Sequence, residues 1–295
     1  MNEPSSSRRA IDLAWKVPVI AIAYFVGTMT GGAVVTAAKL PWPSVPGGAT
    51  GSAAHILGVL GALLMALSLA FLARVLRGSP TQRFLVLAAF TYVVFGLSNQ
   101  IEASIFTTFG GTRAMVLFFV FPAVAGAFAA AALVRRPEAQ LAEAATAWPE
   151  RSALSWSWRV LAAWLAFPVI YVFFGMLVAP IVVPFYQQQD YLSLPGWGTM
   201  LPVVLLRSAL CLAVTLPLLA RWSGSRRRLV WGLGLVLWAM MGLIGLATTT
   251  FLPPVMRVAH SLEILGDSMV YAWVLAALFV PKAPALARET TTAQA

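Results

Sequence analysis

Eight apolar runs, each long enough to cross a bilayer, follow one another along this chain: Val17–Ala38, Ala54–Leu76, Phe84–Phe106, Ala114–Val134, Val160–Pro180, Met200–Ala220, Leu229–Thr250 and Arg257–Val280. A helical span needs about 20 mostly apolar residues, whereas a transmembrane strand is about half that length and alternates polar with apolar positions. Runs such as Leu57–Leu72 do not alternate. The expected fold is therefore all-α, a polytopic membrane bundle of eight transmembrane helices. With 60% hydrophobic and only 10% charged residues, the chain cannot clothe itself in a water-compatible surface, so the lipid bilayer is its first partner.

The basic residues orient the bundle. Of twenty, sixteen fall beside one set of loops and termini: Arg8, Arg9 and Lys16; Arg74, Arg77 and Arg83; Arg135, Arg136, Arg151 and Arg159; Arg221, Arg226, Arg227 and Arg228; Lys282 and Arg288. Lys39, Arg113 and Arg257 lie at the opposite ends, and Arg207 lies within a span. The positive-inside rule then puts both termini in the cytoplasm of a plasma (inner) membrane protein. It also explains the +10 net charge without nucleic acid, whose binding calls for a clustered basic face. The polar stretch through Lys16 lacks the shape of a cleaved signal, so the first span is expected to stay. A single cysteine, Cys211, allows neither an intrachain disulfide nor a thiolate cluster.

Five segments follow: a cytoplasmic tail 1–16, a four-helix half 17–134, a cytoplasmic linker 135–159 with a candidate surface helix at Pro137–Ala147, a second half 160–280, and a tail 281–295. The outer links Lys39–Ser52, broken by Pro41, Pro43, Pro46 and Gly47–Gly48, and Pro184–Gly198, with Tyr186, Tyr191 and Trp197, read as an interfacial rim. Gly61–Arg74 (GALLMALSLAFLAR) resembles Ser208–Arg221 (SALCLAVTLPLLAR), and Trp15-Lys16-Val17 recurs as Trp158-Arg159-Val160. Four spans per half would make this a parallel repeat about an axis along the membrane normal.

The polar residues inside the spans concentrate the functional signal. His260, Glu263, Asp267 and Tyr271 recur at three- and four-residue spacing, one face of the eighth span. At similar depth lie Asn99, Gln100 and Glu102 in the third span, Arg207 in the sixth, and His55 at the start of the second. A charge near the bilayer centre costs about 2.5 to over 10 kcal/mol, so such groups should face the bundle interior or a wet cavity. A buried ion pair that only locks helices together explains some of the charges, but not a four-member stripe.

No His-Glu-x-x-His, Gly-x-Ser-x-Gly or paired-glutamate protease motif is present, and no cofactor is expected. Two histidines exclude a three-histidine zinc site; His55, His260 and Glu263 are the remaining two-His-one-carboxylate set, and the two histidines the remaining axial pair for noncovalent haem. The leading expectation is a transporter-like or small-ligand binding and sensing protein. Its outward-opening polar cavity would be walled by spans two, three, six and eight. In it Arg207 would attract an anion or hold Asp267 ionised, Glu102 and Glu263 would carry protons, and His260 would relay them; the ligand is a small molecule or lipid. The alternatives are a membrane enzyme acting on a lipid or lipid-linked substrate at the outer leaflet, with a carboxylate as general acid or base beside His260, and an accessory or assembly subunit with a structural polar core.

Overall fold

The computed structural model describes residues 6–46, 52–134 and 150–281. Eight helices in it are long and apolar enough to span a membrane: α1 (Ala14–Ala37), α2 (His55–Val75), α3 (Pro80–Phe106), α4 (Arg113–Leu133), α5 (Ala153–Gln188), α6 (Trp197–Ala220), α7 (Arg226–Thr248) and α8 (Pro254–Phe279). The chain is a polytopic membrane protein. Bulky apolar side chains such as Val169, Phe128 and Leu262 are more than 60% exposed, a surface suited to lipid. The Pro137–Ala147 segment and Gly47–Gly48 lie outside the described residues.

Helix starts follow hydroxyl caps that free the first-turn amides from water. Ser79, Thr112, Ser152 and Ser225 each accept a hydrogen bond from the amide three residues on, at the heads of α3, α4, α5 and α7. Span limits agree with the sequence reading to within a few residues, except at α5. This helix continues through Pro180 and Pro184 to Gln188, so Tyr186 is a helical residue and not part of a loop. A proline removes one helical hydrogen bond, and within a bundle neighbouring groups can offset that loss.

Within the first half α1 packs on α2 and α4, and α4 packs on α3; within the second, α5 packs on α6 and α8, and α8 packs on α7. The halves meet where α3 lies on α6 and where α2 lies on α7. Both α3 and α7 contain a π-helical turn, Tyr92–Leu97 and Ala239–Leu243, and these two turns touch.

Glycines allow the close contacts. A Cβ on Gly27 of α1 would stand 2.6 Å from the Phe121 carbonyl oxygen of α4, and one on Gly266 of α8 would strike the Phe174 ring of α5.

On the arginine-rich side two turns clasp the halves: the Arg77 amide donates to the Arg221 carbonyl (2.8 Å), and the Ser223 amide and hydroxyl both donate to the Val75 carbonyl (2.7 and 2.6 Å). Several arginines of this side also cap helices. Arg83 donates to the Ala131 and Val134 carbonyls ending α4, while Arg151 donates to the Leu278 and Phe279 carbonyls ending α8 and Arg159 to that of Leu278. A cation at a helix C-terminus meets both the orphan carbonyls and the negative end of the dipole. On the opposite side the Thr108 amide donates to Tyr191, and the Ser193 amide to Phe106, tying the α3–α4 and α5–α6 loops together.

Candidate functional site

The π-turn of α3 leads directly into Ser98, Asn99 and Glu102, and the contacts of these residues define the junction between the halves. Arg207 of α6 is buried, with its Nη1 2.7 Å from Glu102 Oε1; this is a close ion contact without hydrogen-bond alignment. Its Nε donates to Ser98 Oγ at 3.0 Å, and its guanidinium lies 5.7 Å from the centre of the Tyr171 ring. Tyr171 of α5 donates its hydroxyl to the same Glu102 oxygen at 2.9 Å. Glu102 is thus bonded from two helices while its side chain keeps 26% of its surface open. Asn99 donates to the Met240 carbonyl at 3.2 Å, inside the π-turn of α7.

The stripe on α8 points inward. His260 Nδ1 lies 2.6 Å from Glu263 Oε2, and a Cβ on Gly175 would stand 3.4 Å from the other Glu263 oxygen, so α5 passes close beside that carboxylate. Asp267 and Tyr271 continue the stripe deeper, both buried.

Two hollows adjoin these groups. The larger has a volume of about 550 Å³ and occupies the half of the bundle away from the arginine-rich turns. Asn99, Gln100, Glu102, Tyr171, His260 and Glu263 give it a polar wall; rings such as Tyr24, Phe95, Phe119 and Tyr186 give it an apolar body. Phe109, Tyr191 and Phe251 cluster above it with centroids 5.0 to 6.5 Å apart, and the Tyr191 hydroxyl donates to the Phe251 carbonyl. Its lining residues that are also exposed, Phe25, Val45, Gly58 and Thr248, place a mouth on the flank where α1, α2 and the end of α7 meet. The smaller void, about 20 Å³, lies between Glu102, Tyr171, Arg207, Asp267, Ser268 and Tyr271. Glu102 and Tyr171 line both.

The structure therefore brings Glu102, Arg207, Asn99, His260, Glu263, Asp267 and Tyr271 around two adjoining spaces, with three departures from the sequence reading. The cavity is walled by α1, α2, α3, α4, α5, α7 and α8, not by spans two, three, six and eight; Arg207 of α6 reaches only the small void. Arg207 makes its ion contact with Glu102, not Asp267, because α3 and not α8 packs on that face of α6. His55 is exposed at the head of α2 and does not line the cavity that His260 lines. Among the described residues no group of three or more His, Cys, Asp or Glu is placed to hold a metal, so the His55–His260–Glu263 set is not assembled. The sequence pattern does not single out Tyr171, and it puts Tyr186 in the rim where the structure has it lining the cavity. The 147-residue offset that pairs Gly61 with Ser208 also pairs Tyr24 with Tyr171, and both tyrosines line the cavity.

Fold and site together give an eight-span membrane bundle with an amphipathic cavity that opens on one flank. No protein-family profile, curated protein or solved structure matches the chain.

Proposed function

We propose that this protein is a transporter-like binder of a small amphipathic molecule in the plasma membrane, with both termini cytoplasmic and the cavity in the outer leaflet half. The observation that carries this reading is the polar wall contributed by three helices to one largely apolar cavity. Glu102 of α3, Tyr171 of α5 and the His260–Glu263 pair of α8 all face it. A volume of about 550 Å³ suits a drug-sized ligand, since such sites run from about 300 to 1,000 Å³. The ligand's apolar body packs among the rings while its polar end meets the carboxylates, and Glu102 and Glu263 exchange protons as it binds and leaves. The asymmetric distribution of arginines supports the orientation.

The test is a thermal-shift screen of the purified full chain against hydrophobic weak acids and bases. At least one compound should stabilise the protein, and Glu263→Gln should abolish that response while the unliganded melting temperature stays the same. A panel without a stabiliser, or an unchanged response in the variant, defeats the reading.

The 2.6 Å His260–Glu263 contact favours one second reading, general acid–base chemistry on a lipid entering through the flank. Turnover of outer-leaflet lipid by reconstituted protein, lost in His260→Gln, would select it.

A further inference from the structure

The small void carries an assignment of its own. Three residues lining it bear side-chain oxygens that are buried and have no hydrogen-bond partner: Asp267 Oδ1, Ser268 Oγ and Tyr271 Oη. Each of these residues is more than nine-tenths buried. Orphaned oxygens are uncommon in folded proteins, and several around one space point to a missing partner. A void of about 20 Å³ exceeds the roughly 10–15 Å³ that one water needs, and a water needs two to four polar neighbours. Arg207 and Glu102 complete the ring, so donors and acceptors are both present.

Position adds a second constraint. Asp267 stands at the midpoint of α8, and toward the arginine-rich side the core is closed by Leu218, Leu275, Ala276 and Phe279, each fully buried. In the other direction Glu102 lines both the void and the large cavity. The groups around Asp267 are Glu263 and Tyr271 on α8, Glu102 on α3, Tyr171 on α5 and Arg207 on α6, with Cys211 of α6 near Tyr271, while α7 presents Leu237 and Met241.

We propose that the void holds one water that joins Glu102 to Asp267, making Asp267 the inner terminus of a proton path that begins at the cavity. In the inward step the Glu102 O–H bond breaks and its proton passes to the water oxygen. A different water O–H bond breaks at the same time, and that proton bonds to ionised Asp267. Glu102 is left as the carboxylate beside Arg207 and is reprotonated from the cavity. This deepens the proposed function and rests on its proton-exchanging carboxylates, but it is tested through protonation alone.

Infrared difference spectra of the purified full chain, recorded after a pH jump, read the carboxyl groups directly. The protein should show protonated-carboxyl bands that respond to pH, and one of them, that of Asp267, should disappear in Asp267→Asn. Ser268→Val keeps both carboxylates and fills the void; it should retain the band and slow its response roughly a hundredfold, the scale of losing an aligned proton donor. A carboxyl spectrum that Asp267→Asn leaves unchanged, a Ser268→Val response at the parent rate, or the absence of any titrating carboxyl overturns the proposal. If Asp267→Asn does not fold, the Ser268→Val kinetics decide alone. Loss of ligand stabilisation with this band intact would sink the proposed function and leave the proton path standing.

Discussion

Among the described residues Arg207 is held by a single carboxylate, and that makes Glu102 a sensitive position. Removing one partner of a buried pair leaves an uncompensated charge and costs about 3–5 kcal/mol, whereas replacing both by apolar or neutral groups of similar size is often neutral. Glu102→Gln and Arg207→Leu should each lower the melting temperature sharply in detergent, and the double variant should recover most of the loss while failing to bind ligand. Equal and additive losses would show that the contact is not a coupled pair. Both residues were legible in the sequence as intramembrane charges. Their pairing was not, because distance from a span end gives depth but not direction around the bundle axis. Arg207 and Asp267 share a depth, yet the neighbour that α6 presents to Arg207 is α3.

Within the helices the same limit shows in the π-turns. Each inserts a residue relative to the 3.6-residue repeat and rotates everything beyond it, so a helical wheel drawn through Tyr92–Leu97 misplaces Asn99 and Glu102. Apolar length gave all eight spans, since it needs no tertiary partner, and the α8 stripe was readable because no π-turn interrupts Pro254–Phe279. The long α5 was underestimated because proline reads as a stop in a solitary helix. Close packing of α1 on α4 makes a sharp element-level prediction. Gly27→Ala places a carbon 2.6 Å from a backbone oxygen and should destabilise by about 1–3 kcal/mol, while Gly32→Ala, with open space at its Cβ, should be tolerated. Thermal unfolding of the two variants side by side checks this. At the end of α1, Lys39 adopts φ 54°, a left-handed conformation that costs a side-chain-bearing residue roughly 1–2 kcal/mol. Lys39→Gly should therefore raise the melting temperature.

Across the whole molecule the helix pairings of one half recur in the other, and both halves contribute to the cavity. A protease site inserted between residues 135 and 149 and then cut should leave two fragments that co-elute in detergent, held by the α3–α6 and α2–α7 contacts and the clasped turns. Separation of the fragments would mean that the linker itself carries the assembly. Gly58 and Gly245 line the cavity with nothing near their Cβ positions, so Gly58→Leu or Gly245→Leu should fill space without unfolding the bundle and weaken ligand stabilisation. The mouth beside Gly58 faces sideways among the lipid-covered helices, under a cap of aromatic residues. If the proposed ligand uses that door, it arrives dissolved in the membrane and not from bulk water. Its working concentration is then set by how strongly it partitions into one leaflet, so within a congeneric series apparent potency should climb with oil solubility even where the contacts made inside are identical.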